Sequence, residues 1–595
     1  MDSNMTVTTN KTIRAKTQTI WQGPQPTAPE LGIDTPLPYL NDSWTIAARL
    51  LDKGRNLYRQ GTGMRGRPNQ AGGYPGAWLP TSLGRRAPLI WPWDERDIRH
   101  VAKMIAYLWA AEPGLVEEYE GNLFEDARIL KNGDFCCHEY YHDPSRAVSP
   151  YVNHVTMYAS GAADMPWLFG VTEMARRRIF SNISKLVQRT LDIFDPERSG
   201  LLNVGVGPDW PSRGFWGAHL GEPNHYPANY DGHNKLVIAG MALAVFVRRF
   251  LDAAQEVDAP ETKSLQTAFD LLTRAIEGPA WNDLAQYYYL QRDENSDRWF
   301  MSMNGLCEES RETDVVPHYA AELCAIPERI QAVGRVIHCA ILNKRVFPMP
   351  PRYPTHSWYS PAHPNGVDMG AEVGQLGAAW DTPYFHCVQV LERLGLQQSA
   401  QRAVLRRAEV IHRDQDCLES YRLDGTVDHT RFYNRDQYIL SATAHLASII
   451  EGLFGITPAK TGFAEVNLRP NLPLYRRHRH TEHASDWAGR DNRIRVRLGR
   501  RGTMDLVIRY DEAAEILTLR TSAIAIPAHI RLPLDLGSRF KRAFWGDQPI
   551  TGSIEHGMDS DFLHVEHRLD GETLRIELNS HPQKGHGTTP QIHPE

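Results

Sequence analysis

Apolar residues recur at helical spacing over most of this chain. Ile98, Val101, Ile105 and Leu108 fall at i, i+3, i+7 and i+10, and Phe180, Ile183, Val187, Leu191 and Phe194 repeat the stripe. Residues 236–250 are apolar on nearly every side, as in a helix buried all round. Further helices are expected over 265–276, 330–342, 384–394, 399–412 and 440–454. The stripe that ends at Phe194 runs into Asp195-Pro196-Glu197-Arg198-Ser199-Gly200, a helix stop. Long connections rich in Trp, Tyr, Pro and Gly separate the helices, and such connections on a regular scaffold usually carry function.

Beyond Pro473 the period changes. Ile494, Val496 and Leu498 alternate with polar residues, as do Met504, Leu506, Ile508 and Tyr510, and then Ile516, Leu517 and Leu519. That is the period of half-buried strands. The pattern predicts a mainly α chain with a small C-terminal antiparallel β domain. The expected divisions are an N-terminal tail or strap over 1–35, a helical domain over 36–474, a β-sandwich-like domain over 475–580 and a disordered tail over 581–595. The Arg/His run near 476–483 reads as a solvated connector.

Composition narrows the function classes. Of 595 residues, 42% are hydrophobic and 23% charged, with a net charge of -6, which suits a globular protein and argues against a nucleic-acid partner. No apolar run is long enough for a membrane span, and the first residues lack the apolar core of a secretory signal, so a cytoplasmic location is expected. The seven cysteines are an odd number without regular spacing, which fits a reducing compartment. Cys136-Cys137-His138-Glu139 lacks a CxxC partner, so neither a metal nor a cofactor is expected. Fifteen Trp and 23 Tyr supply rings that fill cores or stack on sugars. Oligomeric state is not legible here.

Three segments could carry chemistry. Gly207-Pro208-Asp209-Trp210-Pro211-Ser212-Arg213-Gly214-Phe215-Trp216 lies on a connection between helices. Glycosidic cleavage needs a carboxyl group that stays protonated near neutral pH, and burial against aromatic rings favours that state. Asp209 suits the role, although from its residues alone it reads first as a turn cap. Leu418-Glu419-Ser420-Tyr421-Arg422-Leu423-Asp424-Gly425 offers a carboxylate that could activate water, or a surface Glu before an Asp-Gly turn. Trp91-Pro92-Trp93-Asp94 could hold a sugar ring, or Asp94 could cap the following helix. Glu222 remains an alternative acid, and Asp424 and Asp428 alternative bases.

At these residues the sequence resembles the (α/α)6-barrel glycosidases of the trehalase and processing α-glucosidase type, including the mannosylglycerate hydrolase-like group. Trp91 to Asp94 resemble their early tryptophan-acid motif. Asp209 to Arg213, followed by Asn229-Tyr230-Asp231-Gly232-His233-Asn234-Lys235-Leu236, resemble their general-acid loop. Ala379-Trp380-Asp381-Thr382-Pro383-Tyr384 resembles the start of a late barrel helix, and Glu419 resembles the general base. The resemblance covers roughly residues 70–470 and rests on the order of the motifs. The chain departs from the trehalase branch in lacking Glu-Ser-Gly before Asp209, which argues against trehalose as substrate.

The resemblance implies an (α/α)6 barrel and hydrolysis of an α-glycoside, α-glucoside-like, with inversion. Asp209 would protonate the leaving oxygen and Glu419 would deprotonate the attacking water. Trp91, Trp93, Asp94, Trp210, Arg213, Trp216, Asn229, Tyr230 and Trp380 would bind the carbohydrate. Two other readings stay open. A phosphorylase or other sugar enzyme on the same barrel would use a phosphate pocket, for which His429, Arg431 and Arg435 are available. A non-catalytic carbohydrate-binding protein would bind sugar without turnover.

Overall fold

The protein is described from a computed structural model. The structure describes residues 31–59, 234–289, 315–342, 384–418, 439–475 and 484–580, with short gaps. It adds segments at 127–129, 135–137, 195–203, 291–300, 379–380 and 420–421 and scattered helical positions over 180–192. The expected helix at 98–108 lies outside these residues.

Among the described residues, eight helices form two layers. The inner layer is α2 (Val237–Glu256), α4 (Val315–Glu322), α6 (Tyr384–Arg393) and α8 (Ile439–Ala447). The outer layer is α1 (Pro38–Arg59), α3 (Thr262–Glu277), α5 (Pro327–Leu342) and α7 (Gln397–Asp414). Neighbours pack in the order α2, α4, α6, α8 within the inner layer, and each inner helix also rests on an outer one. Sequence dictates the layer. In α2, Val237, Met241, Leu243, Ala244, Phe246, Val247, Phe250 and Leu251 are all buried, so most of its circumference is covered. In α3 only Leu265, Ala268, Leu272, Ala275 and Ile276 are buried, the single stripe of a helix with one wet face. Full burial of a side chain such as Leu272 contributes about 1.5–3 kcal/mol.

Connections alternate in length. Each inner helix leads to the next outer helix by a few residues: 257–261, 323–326 and 394–396. The return to each inner helix is much longer. The C-terminal parts of α2, α4 and α6, and the turn that follows α8, converge on one cavity. The inner helices therefore run parallel, and the long connections gather at their N-terminal ends.

One helix departs from the simple stripe. Residues 440–454 are predicted as a single α-helix, but after Ala447 the chain continues as a π-helical segment, Ser448–Leu453. Phe454 N–H donates to Ile449 O five residues back, at 3.0 Å. A Cβ on Gly452 would approach Val388 of α6 to 2.9 Å, so the two inner helices meet closely there.

The β region contains two sheets. The seven-stranded sheet runs β1 (Gly32–Asp34), β4 (Asn492–Arg497), β5 (Thr503–Asp511), β6 (Ile516–Thr521), β12 (Thr573–Ser580), β8 (Ser538–Trp545) and β9 (Gln548–Ile550). The five-stranded sheet runs β2 (Ile456–Pro458), β3 (Val466–Leu468), β7 (Pro527–Leu534), β11 (Asp561–Arg568) and β10 (Ser553–His556). Pairing is antiparallel except between β3 and β7. The alternation is realised as expected: Met504, Leu506, Ile508 and Tyr510 are buried along β5, and Leu517 and Leu519 along β6. Two features were not visible in the sequence. The strap region supplies edge strand β1, with Ile33 opposite Ile494. The second sheet takes its first two strands from upstream of position 475. The ends of the connector are packed, with Tyr475 and Trp487 buried and Tyr475 Oη donating to Pro533 O at 2.9 Å.

Candidate functional site

Two short antiparallel pairs close the bases of the long connections. Asp195 begins the first. Its Oδ1 accepts from Ser199 N–H at 2.8 Å and its Oδ2 from Gly200 N–H at 2.7 Å, so the carboxylate ties the helix stop together. Gly200 sits at φ +82, where a Cβ would lie 2.5 Å from Leu271 O, so glycine lets the turn press onto α3. Leu202–Asn203 follows at once and pairs with Asn234–Leu236: Leu202 faces Leu236 and Asn203 faces Lys235. The chain between them, 204–233, is an excursion closed at its root, and Leu236 runs directly into α2.

Lys235 locks that root. Its Nζ donates to Glu197 Oε2 at 2.9 Å and to Ser199 Oγ at 3.3 Å, although the side chain is only 5% exposed. The ammonium holds the Glu197 carboxyl below its usual range, by hydrogen bond and by charge. Asn234–Leu236 also pairs with Gln291–Asp293, which pairs with Arg298–Phe300. The root is thus one edge region of a four-stranded sheet at the N-terminal end of α2.

The second base joins two segments that the sequence had marked separately. Ala379–Trp380 pairs with Ser420–Tyr421, with Trp380 opposite Ser420 and Ala379 opposite Tyr421. Cys417 and Leu418, just before, are buried, and Leu418 O accepts from Ser441 Oγ in the first turn of α8 at 2.5 Å. The backbone is therefore held on both sides of position 419: by a core residue bonded to α8, and by a strand bonded to the segment that enters α6.

Most of the site residues expected from the sequence lie outside the described residues. Asp209, Trp210, Arg213, Trp216, Asn229 and Tyr230 lie outside the described residues, on the excursion whose root is described. Glu419 lies outside them too, between two described neighbours. Trp91, Trp93 and Asp94 lie outside them, as do Glu222, Asp424 and Asp428. Of Trp380 the backbone is described. Sequence reasoning missed the roots themselves. Lys235 closes the motif read from Asn229 to Leu236, and an acid-base match with Glu197 was the available signal.

Among the described residues, Cys324, Cys387 and Cys417 are buried and form no disulfide. Cys136 and Cys137 belong to a strand, Phe135–Cys137, paired with Ala127–Ile129. No helix among the described residues is long and apolar enough to cross a membrane.

The sequence matches no family model and no curated protein sequence. The fold does have solved likenesses. A GH78 family rhamnosidase of Bacillus sp. GL1 aligns with a TM-score of 0.51 at 14% identity, over 85% of this chain and 43% of its own. The α-L-rhamnosidase of Streptomyces avermitilis, solved with L-rhamnose, aligns with a TM-score of 0.51 at 11% identity, over 93% of this chain and 42% of its own. GH63 mannosylglycerate hydrolase from Thermus thermophilus gives 0.40 at 12% identity, over 75% of this chain and 99% of its own, too loose a likeness to argue from. The chain spans less than half the length of the two rhamnosidases. What the likeness establishes is the fold: this chain shares the architecture of the rhamnosidases, a layered helical region joined to antiparallel β sheet.

Proposed function

We propose that this protein is a glycoside hydrolase that cleaves an α-glycosidic bond with inversion, on a helical domain of (α/α)6-barrel type. The carrying observation is the double anchoring around position 419, by Trp380 opposite Ser420 and by Ser441 on Leu418. A catalytic carboxylate must keep its place to within a fraction of an ångström, and rigid neighbours on both sides supply that. The closed root of the 204–233 excursion supports the same reading for Asp209. Both roots lead into N-terminal ends of parallel inner helices, the end where the long connections collect. The shared fold with two rhamnosidases adds support.

In this reading Asp209 donates its proton to the glycosidic oxygen as the bond to the anomeric carbon breaks. Glu419 takes a proton from the water that attacks the opposite face. Inversion calls for a separation of about 6.5–9.5 Å between the two carboxyl groups, which leaves room for that water. Tryptophans 91, 93, 210, 216 and 380 form stacking platforms, while Asp94, Arg213, Asn229 and Tyr230 bond hydroxyl groups. The substrate is a carbohydrate α-glycoside, with α-glucosides and α-L-rhamnosides the first sugars to test.

The test is turnover of aryl α-glycosides by wild type, Asp209→Asn and Glu419→Gln. Each variant is expected to lose about 10²- to 10⁴-fold in kcat while its circular dichroism is unchanged. Activity within a few-fold of wild type in either variant removes that residue from the mechanism. Turnover that requires inorganic phosphate turns the assignment to a phosphorylase.

A further inference from the structure

The two limbs of the 204–233 excursion meet as a ladder of only two residue pairs, and they are not held alike. Asn234–Leu236, the returning limb, is an inner strand of the four-stranded sheet. It pairs on its other side with Gln291–Asp293 and runs straight into the buried start of α2 at Val237. Leu202–Asn203, the outgoing limb, is the edge strand of that sheet. Asp209 lies on this edge limb, six residues beyond Asn203. Extended chain of that length reaches about 20 Å, so slack in the edge strand is passed on to Asp209.

Lys235 fastens the weaker limb to the stronger one. Its Nζ reaches back to Glu197 Oε2 at 2.9 Å and to Ser199 Oγ at 3.3 Å, both just upstream of the edge strand. Exposed ion pairs restrain a chain very little. This pair differs, because the lysine side chain is only 5% exposed, against 75% for Glu197. A buried ammonium keeps its charge only where partners replace its lost water, so Lys235 and the turn that carries its partners hold one another in place. Ser199 is itself fixed, since its N–H and its Oγ both donate to Asp195 Oδ1 at 2.8 Å. Arg292, opposite Lys235 in the sheet, has its own carboxylate in Asp297 at 2.8 Å, which leaves Glu197 to the lysine.

We propose that Lys235 is a positioning residue for the general acid: by clamping the edge limb of the excursion to the strand that enters α2, it fixes where Asp209 delivers its proton. The inference rests on Asp209 being that acid. Lys235 touches no substrate and acts through the limb.

Two readouts test it on the full chain, with Glu197→Ala and Lys235→Met. Glu197 is exposed, so its variant keeps the fold even where the buried substitution does not. The first readout needs no turnover: amide hydrogen exchange, followed by mass spectrometry, in peptides from 195–236. Exchange there is expected to quicken about tenfold or more in both variants. The second compares a phenyl α-glycoside, whose leaving oxygen needs a proton, with an α-glycosyl fluoride, whose fluoride leaves without one, each as glucoside and rhamnoside. Both variants should lose about tenfold or more in kcat/KM on the phenyl glycoside and about threefold or less on the fluoride, and Asp209→Asn should show the same selectivity more strongly.

Unchanged exchange in both variants overturns the clamp whatever the activity. Faster exchange with equal losses on the two substrates makes the pair a support of the turn alone and overturns the positioning role. Asp209→Asn without leaving-group selectivity removes Asp209 as the acid, and with it the role of Lys235, by a result distinct from the other two.

Discussion

Trp380 stands directly opposite Ser420 in antiparallel register, although 39 residues separate them in sequence. Their pairing ties the segment that enters α6 to the segment that carries Glu419. Proline cannot donate a backbone hydrogen bond and fixes φ, so it disrupts so short a ladder. Ser420→Pro is expected to lower kcat on the aryl glycoside that wild type cleaves by about tenfold or more, consistent with the cost of misplacing a catalytic group. The thermal midpoint should move little, because the ladder is only two residues long. A variant with wild-type kcat would show that the pairing does not position Glu419.

Gly200 allows the helix stop to press against α3. A Cβ there meets Leu271 O at 2.5 Å and the Ala275 Cβ at 2.7 Å, and φ is +82. Gly200→Ala therefore adds both strain and a clash with backbone, expected to cost about 2 kcal/mol or more. Urea unfolding measures it; a loss below about 0.5 kcal/mol would mean that the turn relaxes freely.

Glu277, at the end of α3, gathers partners from three elements. Arg329 forms an ion pair with it, Tyr319 Oη donates at 2.6 Å and Tyr288 Oη at 3.2 Å. The Arg329 guanidinium also lies over the Trp281 ring, 4.6 Å from its centroid. The pair is mostly enclosed, with side-chain exposures of 14% and 20%. Glu277→Gln leaves a largely buried cation unpaired and should cost about 2–3 kcal/mol of unfolding free energy, at the low end for a buried pair because some water remains.

Two buried groups pull the pH dependence of stability in opposite directions. His445 Nε2 meets Ser43 Oγ at 2.9 Å, joining α8 to α1, and burial and the charge on Arg407 hold its pKa well below the usual value. Below about 6.5 the unfolded chain binds a proton there that the folded chain does not, so this group makes stability fall as pH falls. Glu392 is the reverse. Its carboxyl is raised, so above about 4.5 the folded chain keeps a proton that the unfolded chain has lost, and stability falls as pH rises towards the folded pKa. Between about pH 4.5 and 6.5 the two slopes oppose each other. Relative to wild type, Glu392→Gln should make stability rise more steeply with pH in that window, and His445→Gln should make it fall. Unchanged slopes in both variants would contradict the assignment.

Much of the fold was legible because burial writes itself into spacing. The nearly all-round apolar character of 236–250 marked the inner helix α2, and the stripe of Leu265, Leu272 and Ile276 marked the outer helix α3. The strand alternation at 504–510 was equally plain. What escaped were features decided by tertiary contact. The π-helical segment carries the same apolar pattern as an α-helix, and only the close approach at Gly452 distinguishes it. Strands β1, β2 and β3 are three residues each, too short to show a period. The charged cavity at the C-terminal ends of the inner helices draws Arg469, Glu392 and Arg531 from three separate segments, so no local motif announces it. For the candidate site, the motifs at 379–384 and 418–425 were legible one by one, but their pairing was not. The order of motifs supplied the carboxylates; only the structure supplied the anchored backbone around them.

The most direct test of the central claim follows the anomeric proton of the freshly released sugar by NMR as wild-type protein cleaves an aryl α-glycoside. The account predicts that the anomer opposite to the substrate accumulates first and then mutarotates. First appearance of the same anomer as the substrate contradicts inversion by Asp209 and Glu419, and absence of cleavage across α-glucosides and α-L-rhamnosides contradicts the glycosidase itself.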